Sequence, residues 1–122
     1  YNPLFLYNYS AELNFSGHYE ESQQIINECL KRYNDYDIQI LIANNYENMN
    51  QWEVALDTYQ NALNMIPCRF IPLEAMMRIY RQTGDTIKAD SIAQIILHKP
   101  VKVPSAEIDA MKEEAKRVKN EE

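Results

Sequence analysis

Tyr36 to Arg69 reads YDIQILIANNYENMNQWEVALDTYQNALNMIPCR, and this stretch decides the fold. It holds two amphipathic helical runs, near 36–49 and 52–65, parted by Asn50-Gln51. Its landmarks recur at spacings of 33 and then 34 residues: Leu13, Tyr46 and Tyr80; Gly17, Asn50 and Gly84; Ser22, Ala55 and Ala89; Ile26, Tyr59 and Ala93; Cys29, Ala62 and Ile96. A chain that returns to these places each cycle repeats one supersecondary unit, here a pair of helices, and stacks it on its own copies.

A period of this length fits either an ankyrin or a tetratricopeptide array. Each cycle has two helical stretches and no strand-plus-turn opening, which selects the second. The middle copy most closely resembles the tetratricopeptide family, with Ala43, Tyr46, Ala55, Tyr59, Ala62 and Pro67 at the family's places. The first copy, about 3–35, has Ser22 and Cys29 where the family usually has Ala. The third, 70–100, has Ile96 for Ala and Pro100 one place early, departures suited to terminal repeats. The resemblance implies an all-α fold, an α-α superhelix of three helix hairpins plus a C-terminal capping helix, within one domain over 1–122.

The residue types have physical reasons of their own. Small side chains at Ala43, Ala55 and Ala62 let helices approach closely, while Tyr46, Tyr59 and Tyr80 fill larger gaps. Gly17 and Gly84, the only glycines, share one interhelix turn that calls for positive φ, with Asn50 as the substitute. Helices are expected near 3–16, 19–33, 36–49, 52–65, 70–83, 86–98 and 105–119. Tyr19, Ser22, Ile25, Ile26, Cys29, Leu30 and Tyr33 form the core stripe of the second. Asn2 and Ser105 are expected N-caps. The last helix puts Ile108, Met111, Ala115 and Val118 on one side and Lys112, Glu113, Lys116 and Arg117 largely elsewhere, as a cap facing water requires. Two prolines make residues 99–104 a stiff extended linker.

With 12 basic against 18 acidic residues, a net charge of −6 and no basic stripe, the chain lacks the electrostatic footprint of a nucleic-acid binder. No apolar run reaches the length of a membrane span and no leader-like segment is visible, so direct membrane insertion is not expected. The chain opens on Tyr1 rather than Met, one residue before a helix cap, and is expected to be an excised piece of a longer protein.

No catalytic or metal constellation emerges. His18 and His98 fall in a turn and at a helix end without ligand spacing, and Cys29 and Cys68 form no paired pattern. Phosphate-cradling loops and nucleophile elbows are absent from the sequence. Asn8-Tyr9-Ser10 and Asn14-Phe15-Ser16 match the glycosylation triplet but fall inside a helix expected to be packed. The chain reads as non-enzymatic, without cofactor or metal, and therefore as a binding module.

In tetratricopeptide arrays the first helix of each repeat lines a concave groove for protein or peptide ligands. The resemblance transfers that role to Leu4, Tyr7, Ala11 and Asn14, then Asp37, Ile40, Asn44 and Glu47, then Ile71, Glu74, Arg78 and Arg81. Of these, Tyr7, Asn14, Ile40, Asn44, Glu47, Glu74, Arg78 and Arg81 are the candidate ligand contacts. Tyr7 and Ile40 suit an apolar side chain, Asn44 a peptide backbone, and Arg78 with Arg81 a carboxylate. The competing reading is that Glu74 and Arg78 form an ordinary solvated pair four residues apart. The five residues with which chaperone-tail adaptors grip a carboxylate are replaced here by Tyr7, Ala11, Leu41, Ile71 and Ala75, which argues against that role.

A narrower resemblance rests on residues 65–73, on Tyr80 with Thr83-Gly84-Asp85-Thr86, and on 99–105 with Ile108. These resemble the soluble C-terminal tail of bacterial O-antigen ligase or polymerase-like membrane proteins. That resemblance implies an interaction scaffold tethered to the inner membrane through a portion not present here. The alternative is a stand-alone structural or self-associating repeat protein.

Overall fold

The structure is a computed structural model that describes residues 2–120. Every element among them is helical: α1 (Pro3–Phe15), α2 (Tyr19–Leu30), α3 (Tyr36–Asn48), α4 (Trp52–Met65), α5 (Ile71–Thr83), α6 (Thr86–His98) and α7 (Ala106–Asn120). These form two compact units, α1–α4 up to Pro67 and α5–α7 from Cys68.

The turn that closes each hairpin is the same structure three times. Gly17, Asn50 and Gly84 take φ of 85°, 60° and 83°. In each turn the N–H of that residue bonds the carbonyl three back: Gly17 to Asn14, Asn50 to Glu47, Gly84 to Arg81, at 3.0, 3.1 and 3.2 Å. The following N–H reaches five back: His18 to Leu13, Gln51 to Tyr46, Asp85 to Tyr80, at 2.8, 2.9 and 2.9 Å. Paired bonds of this kind satisfy helix carbonyls that would otherwise be orphaned, and they need one residue in the left-handed region. The 33- and 34-residue spacing in sequence is this turn recurring in space.

In the first unit, α1 packs on α2, α2 on α3 and α3 on α4. Ala43, Ala55 and Ala62 have no exposed surface, so helix backbones meet where the sequence is smallest. The equivalent seam between α1 and α2 is polar. There Ser10 and Ser22 are both fully buried, and each hydroxyl lies 2.7 Å from the other residue's carbonyl oxygen. A serine pair thus reproduces the close approach of an alanine pair while satisfying its own hydroxyls. Tyr59 is buried and donates its hydroxyl to Glu47 Oε1 at 2.7 Å. Tyr46 is half-buried against a cluster of Ile26, Cys29, Ile38, Leu41 and Ile42.

Within the second unit, α5 packs on α6 and α6 on α7. Leu73, Met76, Met77, Ile79, Ala89, Ala93, Ile96, Ala115 and Val118 are its buried apolar residues, together with Phe70 and Ala75. Tyr80 is half-buried with the Lys88 ammonium 5.6 Å above its ring.

The expected N-caps form. Asn2 Oδ1 accepts from Leu4 N at 2.8 Å and Ser105 Oγ from Ile108 N at 3.1 Å. Asp35 and Asp85 cap α3 and α6 in the same way, accepting from Ile38 N and Lys88 N. Two expectations are corrected. The second helix stops at Leu30 and Tyr33 is 54% exposed, outside the core stripe, because the chain must turn before the Asp35 cap starts α3. Lys112 is not a solvent-face residue: its Nζ donates to the carbonyls of Ile96, Leu97 and Lys99 at 2.8, 3.1 and 2.9 Å. Attraction between an ammonium and the negative end of α6 overrides the simple facing of the helix.

Candidate functional site

Five of the candidate contacts, Tyr7, Asn14, Ile40, Asn44 and Glu47, lie on α1 and α3, neighbours within the first unit. Tyr7 and Ala11 pack against the Ile38–Leu41–Ile42 cluster, which fixes how far α1 sits from α3. Farther along, Asn14 Nδ2 donates to Asn44 Oδ1 at 2.9 Å and to Asn45 Oδ1 at 2.8 Å. Asn45 is fully buried and passes the network inward, donating to Ser22 Oγ at 3.0 Å and Gln23 Oε1 at 3.2 Å. The Asn44 carbonyl also accepts from Asn48 at 3.1 Å, so its amide is held with the oxygen turned into the protein. The side chain is part-exposed, and its amide nitrogen is a donor of the kind a peptide carbonyl needs. Ile40 is half-buried on the same helix, one turn earlier.

Toward the start of the two helices the face deepens into a cavity of about 400 Å³. Leu4 and Tyr7 of α1 line it, with Tyr33 from the α2–α3 turn and Asp35 and Asp37 from the start of α3. Cys29 and Ile38, 2% and 3% exposed, lie beneath. Burial, then the Asp37 and Asp35 carboxylates, push the Tyr7 phenol above its ordinary pKa. Burial and Asp35 do the same for the Cys29 thiol. In both, burial is the larger cause and carboxylate charge the smaller, since each disfavours an anion placed here.

Glu47 is 8% exposed and its carboxylate holds Tyr59 inside the α3–α4 hairpin, so its service is to the fold. In the second unit Glu74, Arg78 and Arg81 share a depression of about 650 Å³ with Met77, Gln82 and Glu114. Both guanidinium groups already hold carboxylates there: Arg78 binds Glu74 at 2.7 Å, and Arg81 binds Glu114 of α7. Any ligand carboxylate must compete with these.

Sequence reasoning missed the roles of Tyr33 and Asp35 in the cavity and the Ser10–Ser22–Asn45–Asn14 ladder. Signals existed for both. Tyr33, Asp35 and Asp37 occupy every second position immediately before and at the start of a repeat, and Ser10 with Ser22 stand where the next copy has Ala43 and Ala55, at two positions that face each other. The glycosylation triplets are spoiled by the same ladder, since Ser10 is fully buried and the Asn14 amide is engaged.

No titratable cluster of the described residues could hold a metal ion, and no helix among them is long and apolar enough to cross a membrane.

Comparison with known proteins bears on the fold. The chain is similar in structure to the type III secretion translocator chaperone SycD of Yersinia enterocolitica. The TM-score is 0.75 at 19% identity, over 94% of this chain and 83% of SycD. It is similar also to PcrH in complex with the chaperone binding region of PopB, with TM-score 0.76 and 16% identity over 95% and 93% of the two chains. SycD in complex with a peptide of the translocator YopD gives 0.76 and 19%, over 96% and 92%. At such identities these likenesses establish the fold, an all-helical tetratricopeptide-like repeat. No protein-family model matches the chain, and no curated protein matches it in sequence. The comparisons give no support to the resemblance to an O-antigen ligase tail.

Proposed function

We propose that this protein is a non-catalytic binding module that holds an extended segment of a partner protein along the face made by α1 and α3. The observation behind it is the Asn14–Asn44–Asn45 network, which fixes a half-exposed amide between half-buried apolar residues and beside a cavity. A peptide needs those three things together: a backbone partner, shallow apolar contacts and a place for a larger side chain. Preorganisation by the buried ladder lowers the ordering cost of binding. Two structural neighbours hold such segments, PcrH the chaperone binding region of PopB and SycD a peptide of the translocator YopD, which is consistent with a similar task here. A stand-alone module of this chaperone type is better supported than a membrane-tethered ligase tail.

The reading is tested by placing a photo-crosslinking amino acid at position 40, on the α1–α3 face, or at position 60, on exposed α4 surface. Crosslinks to partner protein from position 40 and not from 60 are expected. Equal yields, or none from 40, refute the assignment.

Self-association is a second reading with an observation of its own. The surface of α1 exposes Leu4, Phe5, Tyr9 and Phe15, the last at 92%. Light scattering over a hundredfold concentration range decides it: a constant monomer mass removes this reading and leaves the first intact.

A further inference from the structure

The cavity at the start of α1 and α3 is chemically one-sided, and its sides name a ligand. The α1 wall is apolar and aromatic, built from Pro3, Leu4 and Tyr7. The α3 wall is acidic, with Asp35 as N-cap and Asp37 in the first turn, both exposed. Tyr33 closes the cavity from the preceding turn, and no described lysine or arginine lines it.

Four observations narrow the occupant. Two carboxylates without a lining cation favour positive charge. The N-terminus of α3 opposes this with roughly half an elementary positive charge, which two full negative charges outweigh. Tyr7 and Tyr33 line the cavity, and aromatic rings attract a cation by their quadrupoles. The apolar wall gains nothing from a small hydrated ion, but it matches a methylene stem. A long amphipathic cation, with its stem along α1 and its head at the start of α3, satisfies the three that favour a ligand and outweighs the one that opposes it.

We propose that this cavity is the specificity pocket for a lysine or arginine side chain of the partner segment. The assignment rests on the peptide-binding reading above and adds to it the chemistry of the residue selected. Burial first, and then the Asp37 and Asp35 carboxylates, raise the pKa of the Tyr7 phenol, so the smaller part of that shift comes from the same negative field.

The test begins with selection of binders to the full chain from a random dodecapeptide phage library. Fluorescence anisotropy of a labelled selected peptide follows, alongside a version with its basic residue changed to norleucine. Selected peptides are expected to share one lysine or arginine at a fixed place. Norleucine there should weaken binding to the unaltered protein about tenfold, the loss of a charge-assisted contact and a cation–π contact. An Asp35→Asn plus Asp37→Asn variant should reduce the difference to under twofold. Asn caps helices as well as Asp does, so this variant keeps the α3 cap; if it does not fold, the norleucine comparison on the unaltered protein decides.

Peptides that bind, and that Ile40→Asp abolishes, but without a basic preference or any effect of the two Asn changes, overturn the pocket assignment while the peptide-binding face stands. An enriched apolar residue in place of the cation overturns it likewise. Failure to select any peptide overturns both.

Discussion

Replacing Lys112 by Met is expected to destabilise the second unit by about 2 kcal/mol although it removes no apolar side chain from the core. The stem is retained and only the ammonium is lost. That ammonium lies 2.8, 3.1 and 2.9 Å from the carbonyl oxygens of Ile96, Leu97 and Lys99, the exposed end of the α6 hydrogen-bond ladder. A hydrogen bond to a charged group contributes about 1.5–3 kcal/mol net, and a cation at a helix C-terminus about 0.3–1 kcal/mol. The three bonds share one ammonium and cannot be summed. The side chain is part-buried, so water replaces some of what is lost, which holds the total near the lower bounds taken together. The ammonium also sits 5.4 Å from the Phe70 ring centre, a further contact that Met forfeits.

The assay is urea unfolding followed by circular dichroism, with thermal melting beside it. At roughly 4 °C per kcal/mol for a chain of this size, the melting temperature should fall by about 8 °C. Lys116→Met is the control: it removes the same charge from the same helix, but from a 60%-exposed side chain that pairs with Glu113 at the surface. It should cost about 0.5 kcal/mol or less. If the two variants unfold together, within about 0.5 kcal/mol of each other, the clasp on α6 contributes nothing beyond surface charge and the reasoning fails.

Other expectations follow from the same coordinates. Ala55→Leu forces extra methylenes into a fully buried helix contact and should cost about 1–3 kcal/mol in urea unfolding; an unchanged midpoint removes Ala55 from the seam. Gly84→Ala meets no atom within 4 Å of the new Cβ, so only the backbone at φ 83° resists, and a loss near 1 kcal/mol is expected. Asn50→Gly, at φ 60°, should be neutral or slightly stabilising, and a clear loss there, or no loss in Gly84→Ala, would contradict the shared turn geometry. Titration with a disulfide reagent at pH 8 should modify exposed Cys68 at once. Buried Cys29, its thiol pushed up by burial and Asp35, should react only on unfolding, and two equally fast thiols would refute its placement.

The hairpins were legible because their determinants are local. The left-handed residue at 17, 50 and 84, the small residues at 43, 55 and 62, and the Asn2 and Ser105 caps each act within a few residues or within one repeat period. A repeated sequence states that period outright, so all seven helices could be placed before any coordinates were seen. The functional surface was legible only as a row of positions. Tyr7, Asn14, Ile40 and Asn44 lie on the neighbouring helices α1 and α3, whereas Glu47 bonds Tyr59 inside its hairpin and both arginines are engaged by glutamates.

What the sequence determined alone was therefore periodicity: element order, turn chemistry and which side chains are small where helices cross. Only the tertiary structure decided how polar groups from different helices meet. Ser10 found Ser22, Asn14 found Asn45, and Lys112 found the end of α6, across gaps of 12, 31 and 13 to 16 residues. Helical and repeat patterns are properties of spacing along one chain, whereas a hydrogen bond depends on distance and angle to within a few tenths of an ångström. Spacing constrains which face a residue occupies; it does not fix the partner that face will meet.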